Sequence, residues 1–262
     1  MKYGVSKLSI VPGREEPADQ SEMITQVLFG EHYKIIDERA KWCKIRSAYD
    51  KYECWIDRNQ TFEITEEEYK TIDAQKDRVY CGDLSQPVQN LESKEILPIV
   101  LGCSFPQMKR NNQFTLAGED FVYIGSALRP ADVNRSKLIE YCYMYLNSPY
   151  LWGGKTPFGI DCSGFVQMVY RLSGHNLPRD AYQQAELGST LSFVEEAEEG
   201  DLAFFDNSEG KITHVGIILK DNYIIHASGK VRVDRIDHQG IYNTETRAYS
   251  HKLRIIKKVI KK

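Results

Sequence analysis

The apolar pattern of this chain changes period once, near residue 128, and that change fixes what each half can become. From Met1 to about Thr65 the runs MITQVLF, HYKIID, KWCKIRS and ECWID are short, rich in β-branched and aromatic residues, and broken by Gly30, Asp50 and Asn59. Such runs bounded by turn residues read as strands, so residues 1–65 are expected to form a small β-barrel. RVYCGDL, EILPIVLG and the hairpin-like NNQFTLAGEDFVYIG follow without a helical period and suggest a second small β domain over residues 66–128. The acidic EITEEEYKTIDAQKD between them is expected to be a solvated linker or a short helix.

Beyond Pro130 the period becomes helical. Leu138, Ile139, Cys142, Tyr145 and Leu146 fall on one face of a helix that Asp132 or Asn134 could cap and Pro149 closes. Phe165, Val166, Val169, Tyr170 and Leu172 share a face of a second helix, with Gly174 as its stop. DLAFFD, HVGIILKD, YIIHAS and LRIIKKV then read as strands. Helices followed by an antiparallel sheet give an α+β domain over residues 129–262.

Charge and cysteine usage exclude several classes. Lys plus Arg total 34 against 37 Asp plus Glu, a formal charge of -3, so no nucleic-acid partner is expected. The first thirty residues hold no apolar core of signal-peptide length and nothing near a membrane span, which points to a cytoplasmic protein without a membrane partner. The six cysteines include no C-x-x-C pair and have no histidine at zinc-ligand spacing, so neither a metal nor another cofactor is expected. Reduced thiols fit better than a disulfide scaffold, and nothing in the sequence fixes an oligomeric state.

The second predicted helix starts at GIDCSGF, which places Cys162 in its first turn. Backbone N–H groups there lack partners, and the helix dipole favours a thiolate and an oxyanion alike. His214 opens one predicted strand and His226 closes the next, twelve residues later. A hairpin centred on Lys220 would bring both rings directly opposite on one face. Asp221-Asn222 favours a two-residue loop, which would pair His226 with Ile217 and send the rings to opposite faces. The Lys220-centred register, or a bulge restoring it, is the expectation, because only then do two polar rings on apolar strands share a purpose.

DCSGF, HVGI and IHAS, with SPYLWGG ahead of the cysteine, resemble the NlpC/P60 cysteine peptidases over about residues 132–259. The resemblance implies a papain-like catalytic domain, helices packed on an antiparallel sheet. It implies Cys162 as nucleophile, His214 as base, His226 as the group that orients it, and Tyr150 near the oxyanion site. SEMITQVLFGE and KYECWID resemble the bacterial SH3-type domain of the subgroup that cleaves γ-D-glutamyl bonds in free muropeptides, several members of which carry two such domains. The two β domains are accordingly expected to be SH3-like. That resemblance implies that Glu22, Tyr52 and Asp180 meet the ammonium of an N-terminal L-alanine. It further implies that Trp152, Asp161, Ser163 and Arg179 line the D-glutamyl side. Ala181-Tyr182 departs from the hydroxyl residue many relatives carry after Arg179-Asp180, which leaves the contacts to the D-glutamyl carboxylate open. The implied activity is hydrolysis of the γ-D-glutamyl-diamino acid bond of murein tri- and tetrapeptides in recycling. An endopeptidase on intact peptidoglycan and a catalytically inert wall-peptide binder are the alternatives.

Overall fold

The computed structural model describes residues 1–130 and 135–260. The chain divides into two compact units, Met1–Ala131 with Trp152–Pro157, and Asp132–Leu151 with Phe158–Lys262. The expected caps Asp132 and Asn134 lie outside the described residues.

In the first unit the four predicted strands form as Met23–Leu28, His32–Glu38, Trp42–Ser47 and Glu53–Asp57. They share a seven-stranded sheet with Lys2–Val5, Ile10–Arg14 and Phe62–Ile64. Alternate residues Val27, Tyr33, Ile35, Cys43, Ile45, Cys54 and Ile56 point inward and make its core. Helix α1 (Glu66–Asp73) occupies the acidic segment. Thr65 and Glu68 close a reciprocal capping box at its start, and Tyr69 is its buried residue. A separate four-stranded sheet carries Ser85–Asn90, Ile96–Val100 and the predicted hairpin, Gln113–Leu116 with Glu119–Tyr123.

The boundary expected near residue 65 falls between the two sheets. Phe29 of the first layer meets Phe114 and Phe121 of the second edge-on, at 6.0 Å each, and Ser104 N–H donates to the Phe29 carbonyl at 2.9 Å. These aromatic contacts pack the two layers together within the one compact unit.

Trp152–Pro157 belongs to this unit although it follows the first predicted helix in sequence. The Lys155 ammonium lies 3.1 Å from Glu31, with both side chains buried, and Lys155 N–H donates to Gln26 Oε1 at 2.7 Å. A buried charge needs such a partner, so the segment is held by a pair that neither residue can leave cheaply.

The second unit contains α2 (Arg135–Met144), α3 (Cys162–Leu172) and the short α4 (Ala181–Gln184). On α2 the buried residues are Leu138, Tyr141 and Cys142, with Tyr145 just beyond; Leu146, expected inside, is exposed because the helix ends at Met144. All of α3 is buried, not one face, since α2, α4 and two strands pack around it. It stops at Gly174, whose φ of +79° a residue with a Cβ reaches only under strain.

The antiparallel sheet of this unit runs, in spatial order, Ser189–Leu191, Ala248–Lys258, Leu202–Asp206, Ile212–Leu219, Tyr223–Ser228, Lys230–Ile236 and Gly240–Asn243. The last strand also pairs with Ala248–Lys258, so six of the seven strands close on themselves. Lys230–Ile236 and Gly240–Asn243 were not expected from the sequence; charged residues mask the alternation of the first, and the second is only four residues long. Ala203, Phe205, Ile218, Ile224, Ile236 and Ile241 form an apolar cluster inside the sheet.

Candidate active site

Asp161 caps α3, its carboxylate accepting the Gly164 N–H at 2.6 Å. Cys162 is therefore the first helical residue, as expected. Its sulfur lies 4.0 Å from the Thr213 carbonyl and interacts with the Val215 N–H, so the thiol rests against the main chain flanking His214.

His214 and His226 lie on neighbouring antiparallel strands, and their rings share one face. The route to that arrangement differs from direct opposition. Asp221 and Asn222 take φ of +57° and +60°, and Tyr223 N–H donates to the Lys220 carbonyl at 3.2 Å, the two-residue turn that their chemistry favours. Yet Tyr223 opposes Leu219, not Lys220. Lys220 is thus an extra residue, and this bulge restores the even offset. Gly216 faces His226, and His214 is its diagonal neighbour. The directly opposed, Lys220-centred pairing does not form.

His214 Nε2 lies 2.8 Å from His226 Nδ1, and His226 Nε2 lies 3.0 Å from Asp234 Oδ2. Arg232 grips the same carboxylate with two bonds, of 2.7 and 3.0 Å, and reaches Glu245 at 3.2 Å. His251 stacks on His214, ring centroids 4.0 Å apart and planes 22° apart, and Phe205 touches both rings. Asp234, Arg232 and His251 escaped the sequence reading. Asp234 could have been found: with Ile236 it alternates inward along a strand paired to that of His226, an acidic residue at an apolar position.

Among the described residues, nitrogen atoms of His214, His226 and His251 come within 4.8 Å of one another. The rings of His214 and His251 are stacked, and those of His214 and His226 are joined by a hydrogen bond.

Electrostatics reverse one expectation. Burial pushes the Cys162 thiol up to about 12, and the Asp161 charge adds to it. A helix N-terminus offers about 0.3–1 kcal/mol to an anion, less than removing that anion from water costs. Burial likewise holds His214 well below the ordinary imidazole range, with His226 and His251 adding to the effect. His226 is lowered by burial despite its bond to Asp234, and His251 is lowered to about 4.

Tyr150 is pinned beside the start of α3: its N–H donates to the Gly229 carbonyl at 3.0 Å, and its backbone bridges to Ile160. Burial, then the nearby Cys162 and Asp161, push its hydroxyl up to about 12, so it remains a donor. Arg179, 2% exposed, bonds Asp161 at 3.0 and 2.5 Å and Ser163 Oγ at 2.9 Å. Half-buried Asp180 immediately precedes α4. These residues, with Cys162, His214 and His226, belong to the second unit. Glu22, Tyr52 and Trp152 belong to the first, where Glu22 accepts the Trp152 indole N–H at 2.5 Å and Tyr52 is half-buried.

The NlpC/P60 family matches residues 147–250, and the bacterial dipeptidyl-peptidase Sh3 domain matches residues 13–60. A gamma-D-glutamyl-L-lysine dipeptidyl-peptidase of Bacillus subtilis (strain 168) is 30% identical over 224 residues, 78% of this chain and 71% of the relative. The chain belongs to the NlpC/P60 family. A further similar protein, dipeptidyl-peptidase 6 of Lysinibacillus sphaericus, is 28% identical over 86% of this chain and 88% of its own. The crystal structure of an NlpC/P60 family protein from Bacillus cereus ATCC 10987 shares the fold, with a TM-score of 0.83 at 18% identity over 98% of this chain and 99% of the other. The NlpC/P60 match encloses Tyr150, Cys162, Arg179, His214 and His226, and the Sh3 match encloses Glu22 and Tyr52. Among the described residues no helix is long and apolar enough to cross a membrane, and all six cysteines are free.

Proposed function

We propose that this protein is a cysteine peptidase of murein peptide recycling inside the cell. It hydrolyses the amide between γ-D-glutamate and a diamino acid in peptides with a free N-terminal L-alanine, and it releases L-Ala-D-Glu. The observation that carries the reading is the thiol of Cys162 at a helix N-terminus, against the main chain on both sides of an imidazole whose Nε2 is held by His226. The relatives' names, dipeptidyl-peptidases acting at γ-D-glutamyl-L-lysine, support the bond and the dipeptide product.

With His214 Nε2 engaged, Nδ1 is the nitrogen left to take the thiol proton. The thiolate attacks the γ-carbonyl carbon and its oxygen becomes an oxyanion. In this reading the Cys162 N–H, at the start of α3, and the Tyr150 hydroxyl donate to it. The C–N bond then breaks, the imidazolium gives its proton to the leaving amine, and a thioester remains. His214 next takes a proton from water, the hydroxide adds to the thioester, and the sulfur leaves with the proton.

In this reading Arg179, Ser163 and Asp161 serve the D-glutamyl side, and Asp180 serves the ammonium. The layer holding Ser85–Asn90 and Glu119–Tyr123 is a second SH3-like element. The test is mass-spectrometric assay of L-Ala-γ-D-Glu peptides ending in lysine or diaminopimelate, free and N-acetylated, with wild type and Cys162→Ala. Cleavage of the free-amine peptides by wild type alone is expected. Acetylation should cost on the order of a hundredfold or more, since stranding a desolvated charge costs about 3–5 kcal/mol. Equal cleavage of free and acetylated peptides overturns the free-amine reading, and turnover by Cys162→Ala overturns the peptidase assignment.

A further inference from the structure

We infer that Asp234 is a positioning residue of this site, fixing through His226 which nitrogen of His214 is basic. The inference rests on the proposed role of His214 and extends the site beyond the cysteine and two histidines. A carboxylate only accepts hydrogen bonds. Asp234 Oδ2 lies 3.0 Å from His226 Nε2, so that nitrogen carries the proton. A neutral imidazole has one N–H, which leaves His226 Nδ1 as a lone pair. His214 Nε2, 2.8 Å away, must then donate to it, and the lone pair of His214 falls on Nδ1.

Two imidazoles in series could hold the opposite chain of protons equally well. His226 would then donate from Nδ1, His214 would accept at Nε2, and its Nδ1 would bear a proton and be useless as a base. The carboxylate at the end of the chain breaks this symmetry. Its own state is secured by Arg232, whose two bonds clamp both oxygens. Burial would raise Asp234, but the His226 and Arg232 bonds outweigh it and hold the acid below its ordinary range. When His214 takes the thiol proton, the Asp234 charge lies one ring away and steadies the cation without receiving the proton, the division of labour seen in Ser-His-Asp triads. Asp234 is 4% exposed, so water does not substitute for it.

Long-range proton–nitrogen NMR of the full chain near neutral pH tests the wild type directly. His226 should be protonated at Nε2 and unprotonated at Nδ1, and His214 likewise. In Asp234→Ala and Asp234→Asn, both rings should shift toward the Nδ1–H form, and kcat should fall by about 10- to 1,000-fold with KM little changed. Asp234→Glu, which restores an acceptor, should recover part of both readouts. A wild-type His226 carrying Nδ1–H overturns the inference. So does a kcat loss with unchanged tautomers, which would mark a structural role, and so do altered tautomers with unchanged kcat. The NMR readout needs no substrate, so a wild type inactive on γ-D-glutamyl peptides would defeat the proposed function while leaving this inference decided separately.

Discussion

Gly216 stands directly across the β-ladder from His226, and a Cβ at Gly216 would come within 2.9 Å of the His226 Cβ and 2.7 Å of Ile224. That missing methyl lets the His226 ring lean diagonally to His214 Nε2. Gly216→Ala should therefore displace His226 while leaving the strand paired. Misplacing a catalytic group by about 1 Å costs on the order of a hundredfold, so kcat/KM should drop by about that much with an unchanged circular dichroism spectrum. A folded Gly216→Ala variant of wild-type activity would show that the diagonal approach is not needed.

The two imidazoles have unequal tasks. His214→Gln removes the proton acceptor and should abolish turnover, whereas His226→Gln keeps a hydrogen-bonding group beside His214 and should retain measurably more. Steady-state kinetics on both variants, each shown to be folded, checks this. Equal losses in kcat/KM would mean the roles are wrongly divided.

Thiol reactivity follows from burial. With Cys162 pushed up to about 12, the substrate-free protein should be alkylated slowly by iodoacetamide at neutral pH. The rate should keep rising through about pH 9, roughly tenfold per pH unit, as the thiolate fraction grows. An inflection below about pH 7 in the pH–rate profile would reveal a preformed thiolate.

Stability should fall on acidification. Burial holds His32 down to about 4 and lowers His214 and His226. Below the unfolded imidazole value the unfolded chain binds protons that the folded chain does not. Stability therefore rises with pH through this range and is lost as pH falls below about 6.5, by up to about 1.4 kcal/mol per pH unit for each such group. Thermal melts at about pH 7.5 and about pH 5 should differ by several degrees, the acidic one lower. Coincident melts would contradict the burial of these rings.

The sequence by itself determined the local chemistry. The period change near residue 128 marked the passage from strands to helices, Asp161 before Cys162 set a capped helix start, and Asp221-Asn222 specified the two-residue turn. Each is a property of a few neighbouring residues, so it can be read without knowing what packs where. Tertiary structure decided what depends on distant partners. The bulge at Lys220 overrode the turn's own register and put both histidines on one face. The two front β layers merged through Phe29, Phe114 and Phe121. The strand that brings Asp234 to His226 was hidden by its charged residues, and the stacking of His251 on His214 joins strands far apart in sequence. Desolvation pushes the Cys162 thiol up against the pull of the helix end, because the dipole of a helix end is local while burial is the work of the whole fold.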